Sequence, residues 1–196
     1  MSVHLVVCPG FHAPELTRHF LEAVRAVALH HNAAVAAWLT DINVTIAEEG
    51  HPPYLGLSVD WLRDRIEADH PPPALLLIGF SAGVVGAIQT AVAWQLHQHP
   101  VRALIAVDGW GVPLTGDFPI HRVSHDAWTH WSSVALGGNA THFYAEPAVN
   151  HLDLWRSPQT AIGWQISPNA AYRSQTTAAQ LLVDLIALYI HNQPER

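Results

Sequence analysis

The run Ala74-Leu75-Leu76-Leu77-Ile78-Gly79-Phe80 constrains the fold of this chain more than any other stretch. A strand with no polar side chain cannot lie on a sheet that has one wet face. It has to be covered on both sides, as strands are in parallel sheets flanked by helices. Val3 to Cys8, ended by Pro9-Gly10, and Val101 to Val107, preceded by Pro100, read as buried strands of the same kind. Val35 to Leu39 and Thr141 to Ala145 are expected as further short strands. Between these runs lie longer patterns of helical type. Pro14 to Leu29 spaces Leu16, Phe20, Val24 and Val27 near helical intervals. Ser58 reads as the cap of a helix to about Ala68, stopped by His70-Pro-Pro-Pro73. Ala82 to His99 and Thr176 to Ile190 complete the set. Alternating strand and helix predicts an α/β fold: a single three-layer domain over residues 1–196, with a mostly parallel sheet and helices on both faces. No internal repeat and no linker divides the chain. Residues 41–57 and 109–139 are expected as irregular loops.

Composition narrows the chemistry. The nine basic residues are all Arg, so a P-loop lysine and a lysine Schiff base are both excluded. The formal net charge of −7 argues against nucleic acid as the main partner. One cysteine, Cys8, excludes an internal disulfide and any multi-cysteine metal site. The start MSVHLVVCPG carries no basic stretch ahead of a long apolar run, and no uninterrupted apolar run reaches the ~18 residues of a membrane span. A soluble, cytoplasmic protein without a secretory signal, a metal or a cofactor is the expectation.

The functional signal is Gly79-Phe80-Ser81-Ala82-Gly83, a Gly-x-Ser-x-Gly sequence set between a buried strand and a helix. A tight strand-to-helix turn forces the serine into a strained backbone conformation, and small flanking residues let the two elements approach. The hydroxyl is lifted into the open at the carboxyl end of the sheet, beside the N–H groups of the helix start. Gly79, Gly83 and Gly86 do not fit the dinucleotide fingerprint Gly-x-Gly-x-x-Gly.

This motif in this context resembles the nucleophile elbow of the α/β-hydrolase superfamily, near its compact esterases and lipases. The resemblance covers most of the chain as a pattern of elements, but only the elbow is a specific motif. It implies a serine hydrolase acting on a small-molecule carboxylic ester or thioester, with a Ser–acid–His triad in that chain order. It also implies an oxyanion hole formed by the N–H after the nucleophile, Ala82, and one from the loop after an early strand. Cys8-Pro9-Gly10-Phe11-His12 resembles the His-Gly-Phe loops of the family without the leading histidine, which assigns the second donor to Phe11.

Among 15 histidines, position decides the base. His151 follows the expected strand ending at Ala145 and precedes the closing helix, whereas His142 lies inside that strand. Asp108, directly after Val101 to Val107, is the expected acid. Asp126 is its rival and would serve if His121 to Ser124 formed an extra strand, although so short a crossover is barely long enough. His121, His125, Asp126 and His130 could in principle bind a metal, but their spacing matches no motif with a mechanism. They read instead as hydrogen-bonding groups in a loop that walls the site. A metal-dependent hydrolase using this loop, and a hydrolase-like fold that only binds, remain the alternatives. Trp110, Trp128, Trp131 and Trp155 fall in loops expected at the same edge and are pocket candidates that would favour an apolar acyl or aromatic group. Trp38, Trp61 and Trp94 read as core.

Overall fold

The computed structural model describes residues 2–40, 42–66, 72–167 and 172–191. Three expected strands form with the bounds read from the sequence: β1 (Val3–Cys8), β3 (Ala74–Phe80) and β4 (Val101–Val107). All seven residues of β3 are buried, as their uniform apolarity requires. With β2 (Val44–Ile46), β5 (Ile120–Ser124), β6 (His142–Ala145), β7 (Ile162–Ile166) and β8 (Arg173–Thr177) they build one sheet of order β2-β1-β3-β4-β5-β6-β7-β8. Pairing is parallel from β2 to β6, and β7 and β8 then add antiparallel.

Helices α1 (Pro14–His31), α2 (Ala33–Trp38), α3 (Val59–Arg65), α4 (Gly83–Leu96), α5 (Ala127–Ser133), α6 (His151–Arg156) and α7 (Ala178–His191) flank the sheet. Because strand side chains alternate, the sheet carries two separate cores. Leu76, Ile78 and Phe80 of β3 pack with Phe20 and Val24 of α1, Trp155 of α6 and Leu182 of α7. Leu75 and Leu77 pack on the other face with Leu62 of α3 and Val84, Ala87 and Trp94 of α4. The α/β class and the layering expected from the sequence are present. Among the described residues, no helix is long and apolar enough to cross a membrane.

Three expectations need correction. Residues 35–39 are not a strand: Ala33–Trp38 is helical, started by Asn32, whose side chain accepts the Val35 N–H at 3.3 Å. Alanine-rich sequence favours helix, and a capping Asn stands immediately before it. The second strand of the chain lies later, as β2 within the segment expected to be loop. Residues 109–139 also contain regular structure, namely β5, α5 and a 3₁₀ turn at Val134–Leu136. β5, weighed above only as the extra strand that Asp126 would need, reads as loop because its sequence, Ile-His-Arg-Val-Ser, is mostly polar, yet all five residues are buried. Several of their polar groups find partners: the Thr141 N–H donates to His121 Nδ1 at 3.1 Å, His121 Nε2 meets the Tyr189 hydroxyl at 2.7 Å, and Arg122 donates one terminal N–H to Gly137 O at 3.1 Å, while its Nε has no partner among the described residues. Finally, β6 is not the last strand. Two antiparallel strands follow it: β7, Ile-Gly-Trp-Gln-Ile, is mostly half-buried, and β8, Arg-Ser-Gln-Thr-Thr, is polar and largely exposed, so neither has the uniform apolar signature of the sheet centre. The expected helix beginning at Ser58 is present as α3, with the Ser58 side chain accepting the Trp61 N–H at 3.1 Å. Its expected extension to Ala68 and the start of the His70-Pro-Pro-Pro73 stop lie outside the described residues.

Candidate active site

The turn from β3 into α4 is built by exclusion of side chains. A Cβ on Gly79 would sit 2.7 Å from Val84 Cα, and one on Gly83 would sit 2.1 Å from the Cys8 carbonyl oxygen. A Cβ on Gly10 would come within 3.0 Å of Ser81 Cβ. The loop after β1, the end of β3 and the start of α4 therefore close on one another only with glycine at these points. Ser81 takes the strain, with φ 53 in the left-handed region that β-substituted residues avoid. Its N–H still donates to Val107 O at 2.9 Å, extending the ladder one residue past the strand.

Asp108 repeats this device on the next strand. It has φ 52, and its N–H donates to Val123 O at 2.8 Å. Its carboxylate is buried and fully engaged. Oδ1 accepts the His125 N–H at 2.8 Å, while Oδ2 accepts from His125 Nδ1 and His151 Nδ1, each at 2.8 Å. Burial alone would raise this carboxyl, but the hydrogen bonds from the two histidines outweigh it and hold Asp108 below the ordinary carboxylate range. The hydrogen bond to Asp108 in turn raises His125 above an ordinary imidazole, against partial burial and with help from the charges of Asp108 and Asp126.

His151 opens α6, and its ring stacks on Phe80 with centroids 4.8 Å apart. Ser81, Ala82, Asp108, His125 and His151 line one cavity of about 540 Å³, together with Trp110, Val112, Asp126, Trp128 and Thr129. Among the described residues neither Ser81 Oγ nor His151 Nε2 has a hydrogen-bond partner. That separates the two histidines on Asp108. His125 Nε2 faces Asp126 Oδ2 at 3.2 Å, whereas His151 Nε2 is free to meet the serine or a substrate. Asp126 does not reach His151; its other oxygen caps α5 by accepting the Thr129 N–H at 2.6 Å. The extra strand on which Asp126 depended does exist, yet the carboxylate that meets His151 is Asp108.

The Phe11 and Ala82 amides have no acceptor among the described residues. Phe11 is 71% exposed and does not line the Ser81 cavity; it lines a separate one of about 760 Å³ with Ile46, Tyr54 and Leu57, while Gly10 before it sits against Ser81. The tryptophans divide. Trp110 and Trp128 stand at the cavity with ring centroids 5.8 Å apart, and Trp110 is fixed by a 3.1 Å bond to Ser132 Oγ. Trp131, also exposed, leans on His130 and Tyr144 away from the cavity. Trp155 is not a pocket residue at all. It lies on α6 fully buried, stacked between Phe20 at 3.5 Å and Phe80 at 4.7 Å. Trp94 is core as expected, while Trp38 and Trp61 are half-buried and pack at the edges of the two cores.

The histidines of residues 121–130 diverge. His121 turns to α7, His130 is buried against Tyr144 and His142, and only His125 reaches the cavity. They do not converge on a common centre. Asp108, His125 and His151 do have donor atoms within 4.8 Å of one another. Their contacts are 2.8 Å N–H···O hydrogen bonds, which account for that grouping. Cys8 is buried, and burial pushes its thiol up to about 12, far from thiolate chemistry at neutral pH. His125 is the site residue that sequence reasoning placed in the wall rather than on the acid. Its only signal was its place directly after β5, visible once β5 is seen as a strand. No protein-family model matches the chain, and no curated protein matches it significantly.

Proposed function

We propose that the chain is a serine hydrolase of α/β-hydrolase type that cleaves small-molecule carboxylic esters or thioesters through an acyl-enzyme on Ser81. The observation that carries this reading is the pairing, in one cavity, of a serine held at φ 53 with a histidine whose Nδ1 is fixed by a buried carboxylate and whose Nε2 is free. Ser81 Oγ attacks the carbonyl carbon while His151 Nε2 takes its proton. Asp108 keeps the proton of the neutral ring on Nδ1, so that Nε2 carries the lone pair, and stabilises the imidazolium that forms. The Ala82 amide, at the start of α4, and the Phe11 amide receive the developing oxyanion. The tetrahedral adduct collapses as His151 returns the proton to the departing alcohol or thiol. Water, deprotonated by the same ring, then cleaves the Ser81 ester and releases the acid. Trp110 and Trp128 offer aromatic faces to an apolar group of the substrate.

The chain order Ser81, Asp108, His151 and the strand–turn–helix context of Ser81 support the reading, as does the lack of any convergent histidine cluster at 121–130. A fluorophosphonate probe is expected to label Ser81, and Ser81→Ala to lose labelling and about 10⁴–10⁶ in turnover of a short p-nitrophenyl ester while remaining folded. Near wild-type turnover in that variant would end the serine-hydrolase reading.

A further inference from the structure

We propose that the cavity of about 760 Å³ behind the Gly10-Phe11 loop receives the acyl arm of the ester, while the Ser81 cavity receives the leaving group; this assignment rests on the serine-hydrolase reading. The two cavities share no lining residue, and the turn after β1 is what joins them. Gly10 lines the larger cavity and is buried, and a Cβ on it would come within 3.0 Å of Ser81 Cβ. The next residue, Phe11, supplies the amide assigned to the oxyanion. Its side chain is a wall of the larger cavity, tilted against Tyr54 with ring centroids 6.2 Å apart. A carbonyl held between Ser81 and that amide therefore sits at the boundary of the two spaces.

Proton transfer decides which arm goes where. His151 returns a proton to the departing alcohol or thiol, so the leaving oxygen or sulfur has to lie within reach of His151 Nε2. His151 lines the Ser81 cavity with Trp110 and Trp128, and it does not line the larger one. The leaving arm is thereby committed to the side of the tryptophans. On a carbonyl carbon the acyl arm diverges from the leaving atom, and it crosses the Gly10-Phe11 peptide, where glycine puts no side chain in its way. Beyond lie Phe11, Ile46, Pro53, Tyr54, Leu55 and Leu57, an aliphatic and aromatic lining. The charged residues of the same cavity, Arg18, Glu48, Glu49 and Arg65, are all exposed, which keeps charge at a wet rim. Its volume is on the scale of whole small-molecule sites, roughly 300–1,000 Å³, and far exceeds an acetyl group. The acyl class it fits is a medium-chain aliphatic or an aryl acid.

The test is kcat/KM for p-nitrophenyl octanoate and p-nitrophenyl acetate, which share one leaving group and differ only in the acyl arm. Ala47→Trp fills the larger cavity. Leu55→Arg puts a charge on its apolar wall at a residue 47% exposed, where the fold tolerates the change. One misfitted methylene in an apolar pocket is worth about 10–200-fold in discrimination. The octanoate-to-acetate ratio is expected to fall about tenfold or more in each variant that circular dichroism shows folded, and to stay within about threefold in Trp128→Ala, on the leaving-group side. An unchanged ratio in either folded variant overturns the proposal. So does a tenfold fall in Trp128→Ala, which would put the acyl arm in the Ser81 cavity. Fluorophosphonate labelling of Ser81 is read on the same samples, so the two readings fail separately. Labelling with an unmoved ratio removes the assignment of the arms alone, whereas absent labelling of the wild type removes the hydrolase reading and the assignment with it.

Discussion

Replacing Asp108 by asparagine is the sharpest perturbation of this site, because the carboxylate satisfies three donors with two oxygens. Asparagine has one carbonyl oxygen and one NH₂. If its oxygen takes the Oδ2 position, the NH₂ confronts the His125 backbone N–H, which then loses its acceptor. If the oxygen takes the Oδ1 position, the NH₂ faces both imidazoles, and His151 must turn its lone pair to Nδ1 and its proton to Nε2. The base then has no free lone pair where the serine lies. The first arrangement leaves a donor facing a donor in a buried place, at a cost of about 1–3 kcal/mol in stability, and the second costs the tautomer instead. Turnover is expected to fall about 10⁴-fold, the scale found when the orienting carboxylate of a serine protease is made an amide. Asp126→Asn, by contrast, keeps an oxygen for the Thr129 cap and is expected to lose tenfold or less. Turnover of a p-nitrophenyl ester, with circular dichroism melts as the folding control, measures both. An Asp108→Asn enzyme within tenfold of wild type would refute the assignment of the acid, and a crippled Asp126→Asn would move it to the neighbouring strand.

Further outcomes follow from packing and titration. Gly83→Ala forces a Cβ to 2.1 Å from the Cys8 carbonyl and should lower stability by about 3 kcal/mol or more, seen as a reduced urea midpoint at unchanged m. Trp155→Ala empties the stack between Phe20 and Phe80 and should cost about 3–5 kcal/mol, against less than about 1 kcal/mol for the exposed Trp131→Ala; equal losses would contradict the placement of both rings. His4, His121 and His130 are buried, and desolvation lowers each to about 4. The unfolded chain binds these protons near pH 6.5 and the folded chain does not. Stability is therefore complete above pH 6.5 and declines toward pH 4, by up to about 3 kcal/mol for each ring. A urea midpoint that stays flat between pH 7.5 and pH 5 would count against this.

The centre of the molecule was legible because its signals are local. The uniform apolarity of Ala74–Phe80 dictates a doubly covered strand, and Gly-x-Ser-x-Gly at its end can place a serine only at a tight turn. Both hold in the structure. What was not legible depends on partners distant in sequence. β5 can bury His121 and Arg122 because Tyr189, Thr141 and Gly137 meet most of their polar atoms, and no pattern within five residues announces that. Trp155 looked like a loop tryptophan because His151–Arg156 is too short to show a period, and only Phe20 and Phe80 reveal it as core. His125 was hidden for the same reason as β5. The choice of Asp108 over Asp126, by contrast, was legible from its place directly after the apolar strand Val101–Val107, and it is Asp108 that meets His151.

The link from β4 to β5 is only residues 108–119 and carries no helix. In consequence, one continuous stretch, 108–129, furnishes Asp108, Trp110, Val112, His125, Asp126, Trp128 and Thr129, most of what surrounds Ser81. Ser81 and His151 come from elsewhere, just before α4 and at the start of α6. Within this stretch β5 is buried in the sheet, whereas Trp110 and Trp128, which line the cavity, are exposed. Insertions or exchanges at 109–119 and on the exposed side of α5 can reshape what enters the cavity without touching the strained turn at Ser81 or the stacked ring of His151. A library confined to Trp110, Val112, Trp128 and Thr129 is where a change in what the cavity accepts should be sought.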